Sequence, residues 1–249
     1  MKSLIKADRS SVYNAPTIPW NSDTYTPLAN KTIMDLIENK IQDLGLVIKN
    51  ENYKVTSDTN KQIKGVIGAY DIFADDEEFG QRIMFRNSYD KSMSFAFCCG
   101  SLVWICENGC VSGDYVYKRI HKGVNEENTS TTLKDVISNI TSGFNALQEA
   151  FEHNTKQLNE LKHFQIGPSD VYNLLGELFF NQEVLNVSQI SIIKKELEFS
   201  KNFRHLGDLD FTAYDLYNHI TESLKTSHPN SYLSNHINTH SLFEKTFSV

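Results

Sequence analysis

Residues 82–122 read RIMFRNSYDKSMSFAFCCGSLVWICENGCVSGDYVYKRIHK. Two strongly apolar runs, Met93–Phe97 and Leu102–Cys106, are short enough for strands and rich in aromatic and β-branched residues. A polar turn, Asn87-Ser88-Tyr89-Asp90-Lys91, precedes them, and Asn108-Gly109 is the pair that favours a tight turn with positive φ. A strand beginning at Arg82 leads in, and Val111–Ile120 closes the set. An antiparallel sheet is the simplest structure that this order can form.

Outward from this stretch the pattern continues and then changes. Val47-Ile48 and Tyr53–Thr56 read as strands joined by an Asn-rich turn at Asn50–Asn52, and Ile63–Phe73 as a further strand. Gly65 and Gly68 inside that run imply a bulge or a close backbone approach. Before the sheet, Ile33, Leu36, Ile37, Ile41 and Leu44 repeat at three and four residues, so a helix is predicted over Asn30–Leu44 with Asn30 as its cap and Gly45 as its stop. Residues 1–29 form an extended arm, because Pro16, Pro19 and Pro27 obstruct a helix.

Beyond residue 125 the chain turns helical. A long helix is predicted from Thr129–Thr132 to about Phe164, with Ile137, Ile140, Phe144, Leu147, Phe151, Leu158 and Leu161 on a heptad seam and Asn154 at the one polar place. Three more follow, capped at Ser169, capped at Ser188, and over Asp210–Thr226, with a short tail helix around His240–Lys245. The predicted fold is therefore α+β: a largely antiparallel sheet over 30–125, packed by an N-terminal helix and the long central helix, and a helical region over 126–249 packed on the sheet.

Charge separates the two parts. Residues 1–125 carry 15 Lys+Arg against 15 Asp+Glu, whereas 126–249 carry 9 against 16 and hold the whole net charge of −7. Attraction of the whole chain to phosphates is excluded, so nucleic-acid contact requires a local basic patch in the first part. The N-terminus lacks the apolar core of a signal peptide, and no apolar run is long enough to span a bilayer, so a cytoplasmic protein with reduced thiols and no membrane partner is expected.

The candidate chemistry is thin. Cys98 and Cys99 point to opposite faces of a strand, and Cys106 and Cys110 with His121 lack the spacing of a zinc site, so the thiols read as core residues and no metal or cofactor is expected. Asp75–Glu78 lacks the spaced ligands of a calcium loop. His236 and His240 share a helix face at i, i+4 but lack the glutamate of a zinc protease motif, and surface histidines are the simpler reading. No Walker loop, dinucleotide fingerprint or nucleophile elbow is present, and no enzyme is expected. The remaining constellation is basic and aromatic: Arg82, Arg86, Lys91, Tyr117, Lys118 and Arg119 are the candidate contacts for single-stranded nucleic acid, Tyr to stack bases and Lys or Arg to hold phosphates.

Two segments resemble a known family. FRNSYDKSMSFAFCCGSLVWICENG (Phe85–Gly109) is similar to the signature of the phage- and plasmid-borne proteins that share the domain of unknown function nine-three-two, through Arg86-Asn87-Ser88-Tyr89-Asp90 and Cys106-Glu107-Asn108-Gly109. FTAYDLYNHITESLKT (Phe211–Thr226) looks like that family's late helix, through Tyr217-Asn218-His219-Ile220-Thr221. The resemblance covers about Asn30 to Thr226. It implies a protein of phages or mobile elements without enzymatic activity, in the host cytoplasm if phage-encoded. Its order of helix, antiparallel hairpins and long helix looks like the core of phage single-strand annealing proteins. The expected function is thus single-stranded nucleic-acid binding by a homo-oligomer assembled through the long helix. The alternatives are a module that binds and inhibits a host defence protein or host enzyme through the acidic helical part, and a minor structural or scaffold component.

Overall fold

The structure, a computed structural model, describes residues 4–17, 27–73, 78–103, 108–110, 116–119 and 126–249, with backbone alone for 102–133. The chain forms two compact units: Met1–Asp75, Gly80–Cys99 and Tyr115–Gln148 make the first, and Asp76–Phe79, Gly100–Asp114 and Glu149–Val249 the second. The division does not fall at residue 125, because the long helix α3 (Glu126–Leu161) contributes its first part to one unit and its second part to the other.

The first unit is an antiparallel meander under helices. Strands β1 (Ile5–Ala7), β2 (Ile48–Ser57), β3 (Ile63–Ile72), β4 (Phe79–Ser88) and β5 (Phe95–Val103) follow one another across the sheet, and β7 (Val116–Arg119) pairs with the first part of β5. Alternation sends Tyr53, Val55, Val66, Tyr70, Ile83, Phe85, Phe95, Phe97 and Cys99 to one face. That face is covered by α2 (Asn30–Asp43), through Ile33, Met34, Ile37 and Ile41, and by Val136, Ile140, Phe144 and Leu147 of α3. Full burial of each such aliphatic side chain contributes roughly 1.5–3 kcal/mol, which is why so few contacts fix both helices on the sheet.

Three local expectations change. The arm is not merely extended: β1 pairs with β2, and α1 (Arg9–Tyr13) buries Val12 in the core. The expected turn at Asn50–Asn52 is part of one continuous strand, because those residues pair with Asp71, Tyr70 and Ala69 of β3 and a bulge near Ile48 absorbs the irregularity. Asn30 is the first helical residue and Ala29 the cap. The glycines answer to close approach: a Cβ on Gly68 would stand 2.2 Å from the Phe85 ring, and one on Gly65 2.4 Å from Met93 Cε. Trp20, Asp75–Glu77, Trp104, Cys106, His121 and Lys122 lie outside the described residues.

In the second unit the end of β5 pairs with β6 (Asn108–Cys110). The unit also holds α4 (Pro168–Gly176), a π turn at Glu177–Asn181, α5 (Val187–Phe199), α6 (Ala213–Leu224), which packs on β6, and α7 (Pro229–Phe247). Proline at the start of α7 explains why it runs well beyond the short tail helix expected from sequence. Leu158 and Leu161 of α3 join Leu174, Leu178, Leu197, Tyr217 and Phe243 in this core. Ile140, Phe144 and Leu147 of the heptad seam are buried in the first unit and Leu158 and Leu161 in the second, with Asn154 fully buried at its polar place, whereas Ile137 is 40% exposed and Val136 is buried beside it.

Three of the seven histidines of this unit are interior. His219, His236 and His240 are buried, against the expectation of surface residues. His240 Nε2 lies 2.9 Å from Gln157 Oε1, and its Nδ1 is 3.3 Å from the Tyr217 hydroxyl. His219 Nε2 is 2.9 Å from the Arg204 carbonyl, and burial holds this imidazole below its ordinary pKa of 6.5. The folded state therefore keeps His219 neutral while the unfolded chain takes up a proton, so stability is full above pH 6.5 and falls as the pH drops from there towards the folded pKa. Urea unfolding at about pH 7.5 and about pH 5.5 should show a lower midpoint in acid, and His219→Gln should reduce that pH dependence.

Candidate functional site

The six residues singled out by sequence do not form one surface. Arg82 is paired directly across the sheet with Asp71; its Nε donates to Asp71 Oδ1 at 2.6 Å and its Nη2 to Asp71 Oδ2 at 3.1 Å. Both side chains are buried, and Asn50 Nδ2 reaches the same carboxylate at 3.4 Å. Arg86 is also buried; its Nε donates to the Ser94 carbonyl at 3.2 Å and its Nη2 to Ser94 Oγ at 3.1 Å, and burial lowers its pKa. Lys91 is exposed on the β4–β5 turn with φ 62°. On β7 the register sets Tyr117 opposite Phe97, Lys118 opposite Ala96 and Arg119 opposite Phe95. Directly paired residues share a face, so Lys118 belongs to one face of the sheet and Tyr117 and Arg119 to the other.

The signature turn works inward. Asn87 Nδ2 donates to the Leu28 carbonyl and to Asn30 Oδ1, each at 2.8 Å. The Asn30 N–H donates to the Tyr89 hydroxyl at 2.8 Å, which supplies the acceptor that Ala29 cannot. Ser88 Oγ donates to the Met93 carbonyl at 2.8 Å and accepts from the Met93 N–H at 3.0 Å, closing the turn. Arg86, Asn87, Ser88 and Tyr89 are all buried. This run fastens the start of α2 to the β4–β5 hairpin.

The two thiols whose side chains are described are core groups. Cys98 and Cys99 are buried and unbridged, burial pushes the Cys99 thiol well up, and its Sγ lies 3.6 Å from the Gly143 carbonyl on α3. Among the described residues no group of three or more His, Cys, Asp or Glu is placed to hold a metal ion.

The open site lies in the second unit. A groove of about 940 Å³ runs between α4 with its π turn and α5, and His205 and Leu206 also line it. Its walls are apolar and unusually exposed: Tyr172 is 64%, Phe180 76%, Val187 71% and Phe199 74% accessible. Continuous aromatic exposure of this kind on a folded chain marks a contact surface. The π turn helps to build it, since it keeps Leu178 in the core while Phe179 and Phe180 line the groove, their rings 4.8 Å apart and edge to face. The sequence predicts a helix capped at Ser169 that contains Tyr172, Leu175, Leu178 and Phe179, and leaves Phe180 out. The available signal was three successive apolar residues, Leu178-Phe179-Phe180, more than one face of a helix can bury.

If the signature is structural, its residues must weigh on stability. Asn87→Ala leaves buried acceptors without donors and is expected to cost about 1–3 kcal/mol. Lys91→Ala should stay within about 0.5 kcal/mol of the parent. Denaturant titration of both variants checks this.

Among the described residues no helix is long and apolar enough to cross a membrane. No curated protein and no solved structure matches the chain. A family model described as Domain of unknown function (DUF932) matches residues 20–241, most of the chain and both motifs that suggested it, and the chain belongs to that family.

Proposed function

We propose that this chain is a binding protein that docks an apolar protein surface in the groove between α4 and α5. One observation carries the reading: Tyr172, Phe180, Val187 and Phe199 stand exposed around a single groove in a unit whose other large apolar residues are mainly packed inside. Burying such side chains against a partner is the main source of affinity at protein interfaces, and aromatic anchors dominate it. This fits the expected alternative of a protein-binding module working through the helical part.

The test uses an apolar dye and a variant that fills the groove. Gly176 lies in the wall with helical φ and ψ, and a Cβ there meets nothing within 4 Å, so Gly176→Leu projects into the groove without disturbing the fold. The native protein at low concentration should bind anilinonaphthalenesulfonate saturably, and Gly176→Leu should abolish this while unfolding at the same or a higher denaturant concentration. Equal dye binding by both proteins, or none by the parent, overturns the reading.

A second reading, single-stranded nucleic acid on the sheet, is favoured by a specific placement. Lys54 pairs with Ile67 and Lys118 stands opposite Ala96, so two lysines occur on the sheet face away from the α2 core. Retention of single-stranded DNA in a low-salt mobility-shift assay, weakened by Lys54→Glu and by Lys118→Glu, is the expected result; no retention at low salt removes this reading.

A further inference from the structure

Gly176 has no reason within its own chain. Gly65 and Gly68 are required, because Met93 and Phe85 occupy the space their side chains would take. Gly176 differs: its φ of −60° and ψ of −44° suit any residue, and nothing lies near the position of its Cβ. A glycine inside a helical segment costs about 0.5–1 kcal/mol relative to alanine. Its benefit is a bare stretch of backbone in the groove wall, which lets another backbone approach closely.

The charges of the groove are the second observation. Lys194 and Glu198 are one turn apart on α5, both exposed and both lining the groove. At i, i+4 they are neighbours, yet they form no ion pair with each other or with any other group among the described residues. One cation and one anion in sequence along an apolar strip make a pattern that complements itself after a half-turn. A twofold axis passing α5 between these residues sets Lys194 of one copy against Glu198 of the other, twice over.

We propose that the occupant of the groove is a second copy of this chain, docked through α4 and α5 about a twofold axis, with Phe180 and Phe199 buried at the contact and Gly176 giving room for the facing backbone. The proposal rests on the reading of the groove as a protein-docking surface. It places the assembly surface on α4 and α5 rather than on the long helix, of whose seam Ile140, Phe144, Leu147, Leu158 and Leu161 are buried.

Charge reversal tests it. The full-length chain should sediment as a dimer on concentration, with dye binding falling in step as the groove closes. Lys194→Glu alone and Glu198→Lys alone each set like charges together at two places and should weaken the dimer by about tenfold or more in Kd. The double variant, and an equimolar mixture of the two single variants, should restore it. Circular dichroism should show all of them folded, because both positions are exposed. A monomer at every concentration, or a dimer indifferent to both reversals, overturns the second copy as occupant. In that case, dye binding that Gly176→Leu still abolishes leaves the docking groove standing, whereas dye binding indifferent to that variant removes both.

Discussion

The start of α2 is a buried helix end whose cap, Ala29, has no side chain able to accept a hydrogen bond. A buried backbone N–H without an acceptor is costly, and the chain meets that requirement from a distance, with the Tyr89 hydroxyl at the Asn30 N–H and the Asn87 amide between Leu28 and Asn30. The helix that covers the sheet and the hairpin at its centre are thereby joined through polar atoms as well as through Ile33, Met34, Ile37 and Ile41. Hydrophobic contact alone tolerates sliding; these bonds set a register. In this chain Asn87 and Tyr89, within the turn that resembles the family's signature, hold α2 in place.

The same economy governs β4, which is buried along its whole length. A guanidinium in such a strand needs compensation, and Arg82 has it in a bidentate pair with Asp71 on the neighbouring strand. An isolated reading of Arg82 and Arg86 as phosphate contacts treats strand cations as exposed; here they are interior groups that hold neighbouring backbone and side chains. A cluster of exposed apolar side chains lies instead around the groove of α4 and α5.

Most of the architecture was legible in sequence because it follows from periodicity. Ile33, Ile37 and Ile41 of α2 and Ile140, Phe144, Leu147, Leu158 and Leu161 of α3 repeat at helical spacing, and all are buried. Gly65 and Gly68 signalled a close approach, and Phe85 and Met93 make it. The misses have physical reasons as well. Asn50–Asn52 carry turn residues, but pairing with β3 outweighs their local preference. The direction of the signature turn was hidden because its polar side chains bond to Leu28, Asn30 and Met93, partners that only the folded chain brings near. The groove was hidden because its walls come from α4, a π turn and α5, and a π turn has no strong sequence signal.

The central claim is that the aromatic residues of the sheet serve the fold while those of the groove serve a partner. Hydroxyl-radical footprinting of the native chain, read residue by residue by mass spectrometry across a dilution series, addresses it most directly. Tyr172, Phe180 and Phe199 should be modified readily in dilute protein and become protected on concentration, while Tyr70, Phe85 and Phe97 stay protected throughout. Protection of the three groove residues at every dilution, or ready modification of the three sheet residues in the folded protein, would contradict it.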